Sequence, residues 1–581
     1  MLKTLLTEVK QYKKASILTP AFMVGEVVME ILIPMLMAYL IDSGVEKGDV
    51  RTICITGGAM AVMAMLSLAC GVLSGKYGAR ASSGFAHNLR QSMFRNIQTF
   101  SFSNIDKYST AGLVTRMTTD VTNVQNAYQM ILRMCTRAPV MLLCAMAAAF
   151  SISARLSLIF VAAIAFLGVA LFFITKNSHP VFRQVFRKYD DLNASVQENV
   201  SAIRVVKAYV RGDYESERFR GTAEDLRQAT LSSSRLFTLT GPIQMSILWG
   251  CTIVLLILGG REIIFRTTGL LTGELVSLVS YTTQAVNALT MLTWLIMALS
   301  RAHASLVRIN EVLDETVDIT DGPSDAVVED GSVDFEDVCF SYSGDPDKLA
   351  LRHIAVHINS GETIGIIGGT GEGKSTLVNL IPRFYDTLSG TVRVGGRDVR
   401  DYTLEHLRDG VSMVLQNGAL FSGTIAQNLR WGNANATQEQ LREACAIACA
   451  DEFIDRFPDG YETVLEQNAA NLSGGQKQRL RIARAIVKQP KILILDDSTS
   501  AVDMATDEHI RRALKTAMPG STKIIIAQRI ASILSCDRII VLHEGELSDV
   551  GTHAELMERS QIYRDVYDSQ MREEGEQHGQ S

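Results

Sequence analysis

The sequence predicts a multidomain membrane protein in which a six-helix all-α transmembrane domain is followed by an α/β domain. Six apolar segments occupy the first half, and each reaches the roughly 20 helical residues that a bilayer crossing requires. Short strand and helix patterns alternate from Val333 to about residue 557. Between an apolar β-rich run and an apolar helical pattern, residues 368–376 read Gly-Gly-Thr-Gly-Glu-Gly-Lys-Ser-Thr. This context is typical of a P-loop, so the second domain is predicted to be a P-loop NTPase.

The connections between the apolar segments alternate between short and long. Residues 43–51, 154–155 and 261–269 form short loops, whereas 77–131 and 177–237 are long, polar and helical in pattern. Arg and Lys concentrate in the long pair and in the N-terminal arm. The positive-inside rule therefore predicts that both termini and both long connections are cytoplasmic. The predicted spans are 18–42, 52–76, 132–153, 156–176, 238–260 and 270–298.

We divide the chain into four parts on this basis. Residues 1–316 form the transmembrane domain with two long cytoplasmic loops, and 317–332, rich in Asp, Gly and Pro, form a linker. Residues 333–569 form the domain that carries the P-loop. The polar residues 570–581 are predicted to be a disordered tail.

Composition excludes several classes of function. A net charge of −6 argues against nucleic-acid binding. The nine cysteines are scattered without metal-ligand spacing, so we expect reduced packing residues. The N-terminal segment has lysines but no small-residue cleavage site, which predicts that no signal peptide is removed.

The P-loop residues have a direct chemical role. The glycines allow backbone N–H groups to curl around phosphate oxygens. Lys374 can reach the β- and γ-phosphates, and Ser375 can ligate Mg²⁺. We therefore expect ATP and Mg²⁺ as cofactors. The residues expected to bind nucleotide in this loop are Gly368, Gly369, Thr370, Gly371, Glu372, Gly373, Lys374, Ser375 and Thr376.

A second motif makes a family resemblance specific. The segment Leu472-Ser473-Gly474-Gly475-Gln476 precedes an apolar strand that ends in Asp496. In this order after the P-loop, these elements make the second half resemble the ATPase domain of an ABC transporter. The first half resembles the fused transmembrane domain of the exporter branch, so the resemblance covers nearly the whole chain. It implies ATP hydrolysis coupled to transport across the bacterial cytoplasmic membrane, with the ATPase domain in the cytoplasm.

Other positions match the family one by one. Tyr342 resembles the aromatic residue that stacks on adenine, Gln416 the glutamine that contacts Mg²⁺, and Asp496 the acid that holds Mg²⁺ through water. Residues 106–110 and 213–215 resemble the coupling segments at the tips of the two long cytoplasmic loops. The loop that crosses between two ATPase domains is matched by Ser500, Ala501, Val502 and Asp503.

Two positions depart from the family pattern. The family glutamate that polarises the attacking water is replaced by Asp497, and the switch histidine is replaced by Gln528. An aspartate is one methylene shorter, and general-base catalysis depends on hydrogen-bond reach. A glutamine can donate to a phosphate but cannot carry a proton as imidazole does. The resemblance therefore predicts a site that binds nucleotide but hydrolyses it poorly.

The intact signature segment implies a partner. In this family each ATP lies between one chain's P-loop and the other chain's signature segment. We therefore expect a heterodimer, in which a homologous half-transporter supplies the catalytic glutamate and histidine. The stretch 465–471 also lacks the Glu-Arg-Gly that is usual in homodimeric exporters. Two alternatives stay open, namely a homodimeric exporter or lipid flippase with slow ATPase, and a regulatory ABC protein that does not pump.

The sequence indicates ATP as the energy source but specifies the substrate less well. Glu26 and Glu30 lie one turn apart on the first span, where charge usually faces a cavity or a partner. They could attract cationic amphiphiles, or could lie in a water-filled vestibule without contact to substrate. No peptidase domain precedes the first span, which argues against an exporter that processes leader peptides. We expect an amphipathic or hydrophobic substrate of the multidrug type, with drugs, peptides and lipids all open.

Overall fold

The computed structural model describes residues 7–266, 269–416, 418–498 and 501–578. The chain forms two compact units. The first comprises Met1–Gln98 and Thr110–Glu315, and the second comprises Thr99–Ser109 and Thr316–Ser581. A short segment from the first long cytoplasmic connection thus belongs to the unit that carries the P-loop.

The helices of the first half follow the apolar pattern but run further than the predicted spans. One helix continues for 50 residues from a predicted span into the polar connection. The helices are α1 (Lys13–Tyr39), α2 (Val50–Thr99), α3 (Phe102–Lys107), α4 (Thr110–Thr115), α5 (Val121–Ile152), α6 (Ala154–Ser201), α7 (Ile203–Ala208), α8 (Gly212–Thr238), α9 (Thr240–Phe265) and α10 (Thr272–Leu313).

Within the described part of the chain, five helical stretches are long and apolar enough to cross a membrane. They overlap the first five predicted spans. The sixth predicted span, 270–298, overlaps α10, a helix of 42 residues that begins at Thr272. The five stretches are Lys10–Val45, Val50–Thr99, Thr110–Ile152, Ala154–Ile174 and Thr240–Phe265.

The first unit is organised around α5, which packs against α1 and α10. Apolar side chains such as Val27 and Leu278 are fully buried there. The hydroxyl of Tyr281 donates to the carbonyl of Ile31 at 2.9 Å, which satisfies the polar end of a buried ring.

The second unit contains two main sheets. One is antiparallel with strand order β2-β1-β4-β5, and the other has the order β12-β11-β3-β10-β9-β6. In the second sheet, the strands from β11 to β6 are parallel and β12 is antiparallel. The strands are β1 (Val333–Phe340), β2 (Leu351–Ile358), β3 (Thr363–Ile367), β4 (Ser389–Val394), β5 (Arg397–Asp398), β6 (Val411–Val414), β7 (Gly423–Thr424), β8 (Val464–Leu465), β9 (Ile492–Asp496), β10 (Thr522–Ile526), β11 (Arg538–His543) and β12 (Glu546–Gly551).

The parallel strands are apolar because both faces of this sheet are covered. Every residue of β9 and β10 is buried, as expected for a parallel sheet between layers of helices. The helices of this unit are α11 (Lys374–Asn379), α12 (Leu404–Gly410), α13 (Ile425–Leu429), α14 (Gln438–Ile447), α15 (Asp451–Ile454), α16 (Gly474–Val487), α17 (Met504–Ala517), α18 (His553–Arg559) and α19 (Gln561–His578).

The helix α19 differs from the prediction of a disordered tail. This helix extends to His578, so the expectation for residues 570–581 is wrong as far as residue 578, and 579–581 lie outside the described residues. The side chain of Gln570 binds the loop after β10, because its Nε2 donates to the carbonyl of Gln528 at 2.8 Å and its Oε1 accepts from the N–H of Ile530 at 2.7 Å. A polar composition therefore did not exclude a docked helix.

The residues predicted as a linker, 317–332, are part of the second unit. Ile319 and Val328 are buried, and the N–H of Gly322 donates to the carbonyl of Tyr402 at 2.9 Å. All nine cysteines are free thiols, as the scattered spacing predicted.

Candidate nucleotide-binding site

The candidate site lies at the carboxyl ends of four parallel strands. The P-loop follows β3, Gln416 follows β6, Asp496 ends β9, and Gln528 follows β10. The register aligns Ile526 of β10 with Ile366 of β3 and with Asp496 of β9. Because these strands are parallel, their carboxyl ends meet at one edge of the sheet, where α/β folds bind ligands.

Two positions in the P-loop show why glycine is required. A Cβ atom on Gly368 would lie 2.5 Å from the carbonyl oxygen of Leu542. Gly373 has a φ of +90°, and its Cβ would lie 2.8 Å from the carbonyl oxygen of Ala350. Larger residues would clash with backbone at both positions, so the loop keeps the open cradle that phosphate oxygens need.

Lys374 begins α11 and points its ammonium into the loop. Its Nζ donates to the carbonyls of Gly368 at 2.8 Å and Gly369 at 2.5 Å. Burial lowers the pKa of Lys374, and the carboxylates of Glu372, Asp496 and Asp497 oppose that shift. Phosphate oxygens can replace these two carbonyls as acceptors for the ammonium.

The donor set for Mg²⁺ lies beside the loop. The hydroxyl of Ser375 donates to Asp496 Oδ1 at 3.0 Å. Burial raises the pKa of Asp496, and the Ser375 hydroxyl opposes this. Mg²⁺ prefers hydroxyl, carboxylate, amide and phosphate oxygens, so Ser375, Asp496 and the amide of Gln416 fit this ion.

The two departures from the family meet in space. The amide nitrogens of Gln528 and Gln416 donate to the same atom, Asp497 Oδ2, at 2.8 and 3.2 Å. Asp497 has a φ of +46°, and its N–H donates to the carbonyl of Ile526 at 3.1 Å. Burial raises the pKa of Asp497, with the hydrogen bond from Gln416 opposing. One carboxylate oxygen is therefore engaged by two amides.

Tyr342 lies beside the start of α11. Its hydroxyl shares a hydrogen bond with Thr376 Oγ1 at 3.0 Å. The ring makes edge contacts with Phe340 and Tyr385 at centroid distances of 4.8 and 5.3 Å, and it remains 55% exposed. The exposed part of the ring is available to a planar base.

One interaction in the P-loop was not foreseen. Glu372 Oε2 accepts from the N–H of Gly369 at 2.6 Å, and Oε1 lies 3.0 Å from His543 Nδ1 at the end of β11. The side chain thereby braces the loop against the neighbouring strand. His543 is far from the P-loop in sequence, so no local pattern indicated this contact.

The signature segment caps α16. The hydroxyl of Ser473 accepts from the N–H of Gln476 at 3.4 Å, and Gln476 Oε1 accepts from the N–H of Ser473 at 2.9 Å. Leu472 is buried. A Cβ on Gly475 would lie 2.9 Å from the carbonyl oxygen of Ala501, so the signature segment packs closely on the loop at 501–503.

That loop is fixed from both ends. The N–H of Ala501 donates to Gln478 Oε1 at 2.9 Å, and Val502 is buried. Asp503 caps α17 by accepting from the N–H of Thr506 at 3.0 Å, and this backbone hydrogen bond lowers the pKa of Asp503. Ser500 lies outside the described residues.

The first predicted coupling segment, 106–110, begins within α3 at the surface of the second unit. The hydroxyl of Tyr385 donates to Asp106 Oδ2 at 2.6 Å, and burial raises the pKa of Tyr385. Phe102 stacks on Phe384 with a centroid distance of 4.2 Å. The second predicted segment, 213–215, starts α8, where Tyr214 is 62% exposed.

The chain is similar to known ABC transporters over nearly its whole length. The family model for the ABC transporter transmembrane region matches residues 17–289, and the ABC transporter model matches residues 351–500. An uncharacterized ABC transporter ATP-binding protein of Bacillus subtilis (strain 168), YfiB, is 37% identical over 98% of this chain and 99% of its own length.

Two further matches are informative. An ATP-dependent lipid A-core flippase of Hahella chejuensis (strain KCTC 2396) is 32% identical over 86% of this chain and 85% of its own length. The structure of a bacterial Atm1-family ABC exporter with ATP bound superposes with a TM-score of 0.81 at 23% identity, and covers 97% of this chain and 99% of that one. The latter similarity concerns the fold.

Proposed function

Because the chain belongs to the ABC transporter family and has the exporter architecture of a transmembrane domain fused to an ATPase domain, we propose that it is one half of a heterodimeric exporter. In the bacterial cytoplasmic membrane, it drives an amphipathic or hydrophobic substrate outward with ATP, and its ATPase domain and both termini are cytoplasmic. It contributes a degenerate P-loop half-site and an intact signature segment. The homologous partner contributes the catalytic glutamate and histidine.

The observation that supports this most directly is the double engagement of Asp497 Oδ2 by Gln416 and Gln528. A general base must present an oxygen to the attacking water within hydrogen-bond reach. Here one oxygen accepts two amide hydrogens, and the side chain is a methylene shorter than the family glutamate. Loss of a positioned base costs about 10²–10⁴ in rate.

Gln528 weakens catalysis for a second reason. Its amide donates to Asp497 rather than standing free for a phosphate, and a neutral amide cannot take up a proton. The histidine that it replaces can act as a charged donor near neutral pH. Both changes affect hydrolysis more than binding.

Nucleotide binding keeps its full set of groups. The glycine cradle, the Lys374 ammonium and the pair Ser375–Asp496 are arranged as the chemistry requires. When bound, Mg²⁺ supplies neutralisation of the phosphate charge, and Ser375 with Gln416 would hold it. The half-site therefore acts as a nucleotide holder, and closure around that nucleotide brings this chain's signature segment to the partner's ATP.

The coupling contacts favour a pump over a regulatory protein that does not transport. Tyr385 and Phe384 bind a segment of the first long cytoplasmic connection, so a change in the ATPase unit has a path toward the membrane helices.

A homodimeric exporter or lipid flippase with slow ATPase is the second candidate. Asp497 keeps a carboxylate, and burial raises its pKa toward that of a stronger base. Relatives that are named lipid A-core flippases also match most of the chain.

The deciding experiment is ATP hydrolysis by the purified chain, alone and co-purified with a homologous half-transporter that has Glu and His at the matching positions. We expect activity only in the mixture, and loss of that activity when the partner's glutamate is replaced by Gln. Substantial hydrolysis by the chain alone, abolished by Asp497→Asn, would establish the homodimer instead.

A further inference from the structure

A cavity of about 790 Å³ lies in the first unit between α1, α5 and α10. Its wall combines polar and cationic groups with flexible apolar ones. Of the described residues that line it, two are cationic and none is acidic. The groups that matter here are Arg133, Arg137, Asn126, Gln129, Met130 and Met134, all on α5.

The acidic pair foreseen on the first span does not face this cavity. Nη1 of Arg137 donates to Glu26 Oε1, and Nη2 donates to both carboxylate oxygens of Glu30, at 2.7 and 2.8 Å. Hydrogen bonds between a guanidinium and carboxylates are charge-assisted and stronger than neutral ones. The carboxylates are therefore engaged within the chain, and the attraction of cationic amphiphiles by Glu26 and Glu30 loses its support. An arginine within an apolar span was the signal that could have indicated this pairing.

Arg133 differs from Arg137. It lies one turn away on the same face of α5. Its Cδ packs over Gly78, 3.5 Å from the position that a Cβ on this glycine would occupy. Its Nε is buried without an acceptor, and no described residue forms an ion pair or hydrogen bond with it. A guanidinium that is partly buried without a counter-charge favours an external anion, because desolvated charge is costly until it is paired.

The rest of the cavity wall suits an alkyl chain. Met23, Met130, Met134 and Met291 line the cavity, and methionine side chains adapt to varied apolar shapes. A molecule with an anionic head and an apolar tail would satisfy both Arg133 and this surface.

We propose that this cavity binds an anionic amphiphile, and that the Arg133 guanidinium recognises its phosphate or carboxylate head. The proposal names the substrate class of the exporter and so rests on the proposed function. Glu26 and Glu30 neutralise Arg137 and fix its position, while Arg133 is the group that pairs with the substrate.

The test measures equilibrium binding to the nucleotide-free complex in nanodiscs of zwitterionic lipid, with radiolabelled lysophosphatidic acid as the probe. Lysophosphatidylcholine with the same acyl chain tests the need for net negative charge, and inorganic phosphate tests a site for the free anion. We expect lysophosphatidic acid to bind with at least about tenfold higher affinity than either. Preference for dodecyltrimethylammonium over lysophosphatidic acid, or equal binding of phosphate alone, would overturn the proposal.

The matched variants are Arg133→Gln, Arg133→Lys and Arg51→Gln. Arg133→Gln should weaken binding of lysophosphatidic acid about tenfold or more, whereas Arg133→Lys keeps the charge and should recover most of it. Arg51 is exposed in the first turn of α2 and does not line the cavity, and its replacement should change nothing. Unchanged affinity in a folded Arg133→Gln complex would refute the role of Arg133.

This measurement separates the two proposals, because binding to nucleotide-free protein requires neither hydrolysis nor transport. Binding that depends on Arg133 in a protein without transport would contradict the exporter and leave the anion site standing. Transport by a protein that shows no such binding would support the exporter and contradict the anion site.

Discussion

Asp497 illustrates how a single residue changes the chemistry of an otherwise intact site. Its neighbours retain the roles that their residue types predict, since Lys374 faces the phosphate cradle and Ser375 contacts Asp496. Only the groups that act on water are altered. The backbone of Asp497 adopts a φ of +46°, and both Gln416 and Gln528 hold its carboxylate. On the proposed function, the reach of the side chain and its hydrogen bonds, rather than loss of charge, limit hydrolysis at this position.

Restoring the family residues should raise hydrolysis at this site. In a complex whose partner carries Gln in place of its own catalytic glutamate, Asp497→Glu with Gln528→His should increase turnover by about 10²-fold, because a positioned base contributes about 10²–10⁴. Phosphate release under single-turnover conditions measures this. The matched control is Asp497→Asn with Gln528→His, which should stay inactive. No gain from the restored pair would mean that the partner's signature segment is also defective.

The residual hydrolysis of the unaltered chain should depend on pH. Burial raises the pKa of Asp497 above the ordinary value of 3.8, and a base acts only when unprotonated. In the same background, activity should therefore fall with acidification at a higher pH than an ordinary aspartate would give, and be full at neutral pH. The pH profile of kcat/KM checks this, and Asp497→Asn should abolish the profile. A profile that is flat down to the ordinary pKa would contradict the role of Asp497.

At the scale of elements, α19 supports the loop that carries Gln528. The helix docks on the core through Tyr563, which is fully buried, and through Ile562, Val566 and Tyr567. Side-chain hydrogen bonds from Gln570 supply a further part of its attachment. These bonds fix the carbonyl of Gln528 and the N–H of Ile530 in the loop after β10. The last helix thus contributes to the geometry of the catalytic edge.

Removal of this contact should loosen that loop. Gln570→Ala deletes two hydrogen bonds worth about 0.5–1.5 kcal/mol each. One of them is made by the Ile530 amide, so hydrogen exchange at that amide should be about two- to tenfold faster. The control is Gln561→Ala, because Gln561 bonds only within α19, to Asp565 at 2.7 Å and to Arg564 at 2.8 Å. Equal protection of Ile530 in both variants would show that the contact does not restrain the loop.

For the whole molecule, the division of labour between two chains is the central question. The proposed function assigns this chain a P-loop half-site that hydrolyses ATP poorly, together with a complete signature segment that contacts the loop at 501–503. On that proposal, the signature segment acts on the ATP bound by the partner chain.

A substitution in the signature segment should therefore abolish ATP hydrolysis by the complex. A Cβ on Gly474 would lie 3.6 Å from Ala501 Cβ, which is ordinary van der Waals contact, so Gly474→Ala should fold. Its methyl group would displace the partner's phosphates, and misplacement by about 1 Å can cost about 10²-fold. ATPase activity of the complex checks this, with Gly520→Ala, where the Cβ meets open space, as the control. Full activity of Gly474→Ala would exclude a catalytic role for this segment.

The sequence by itself determined the two-domain architecture and the P-loop, and it is the source of the prediction that two catalytic positions are altered. These depend on local patterns, namely apolar runs of bilayer length, glycine spacing, and residue identities next to a buried strand. Only the tertiary structure decided that Gln416 and Gln528 share one oxygen of Asp497, that Gln570 binds the loop after β10, and that Arg137 engages Glu26 and Glu30. Each of these joins residues distant in the chain, and their distance and direction depend on how the elements pack.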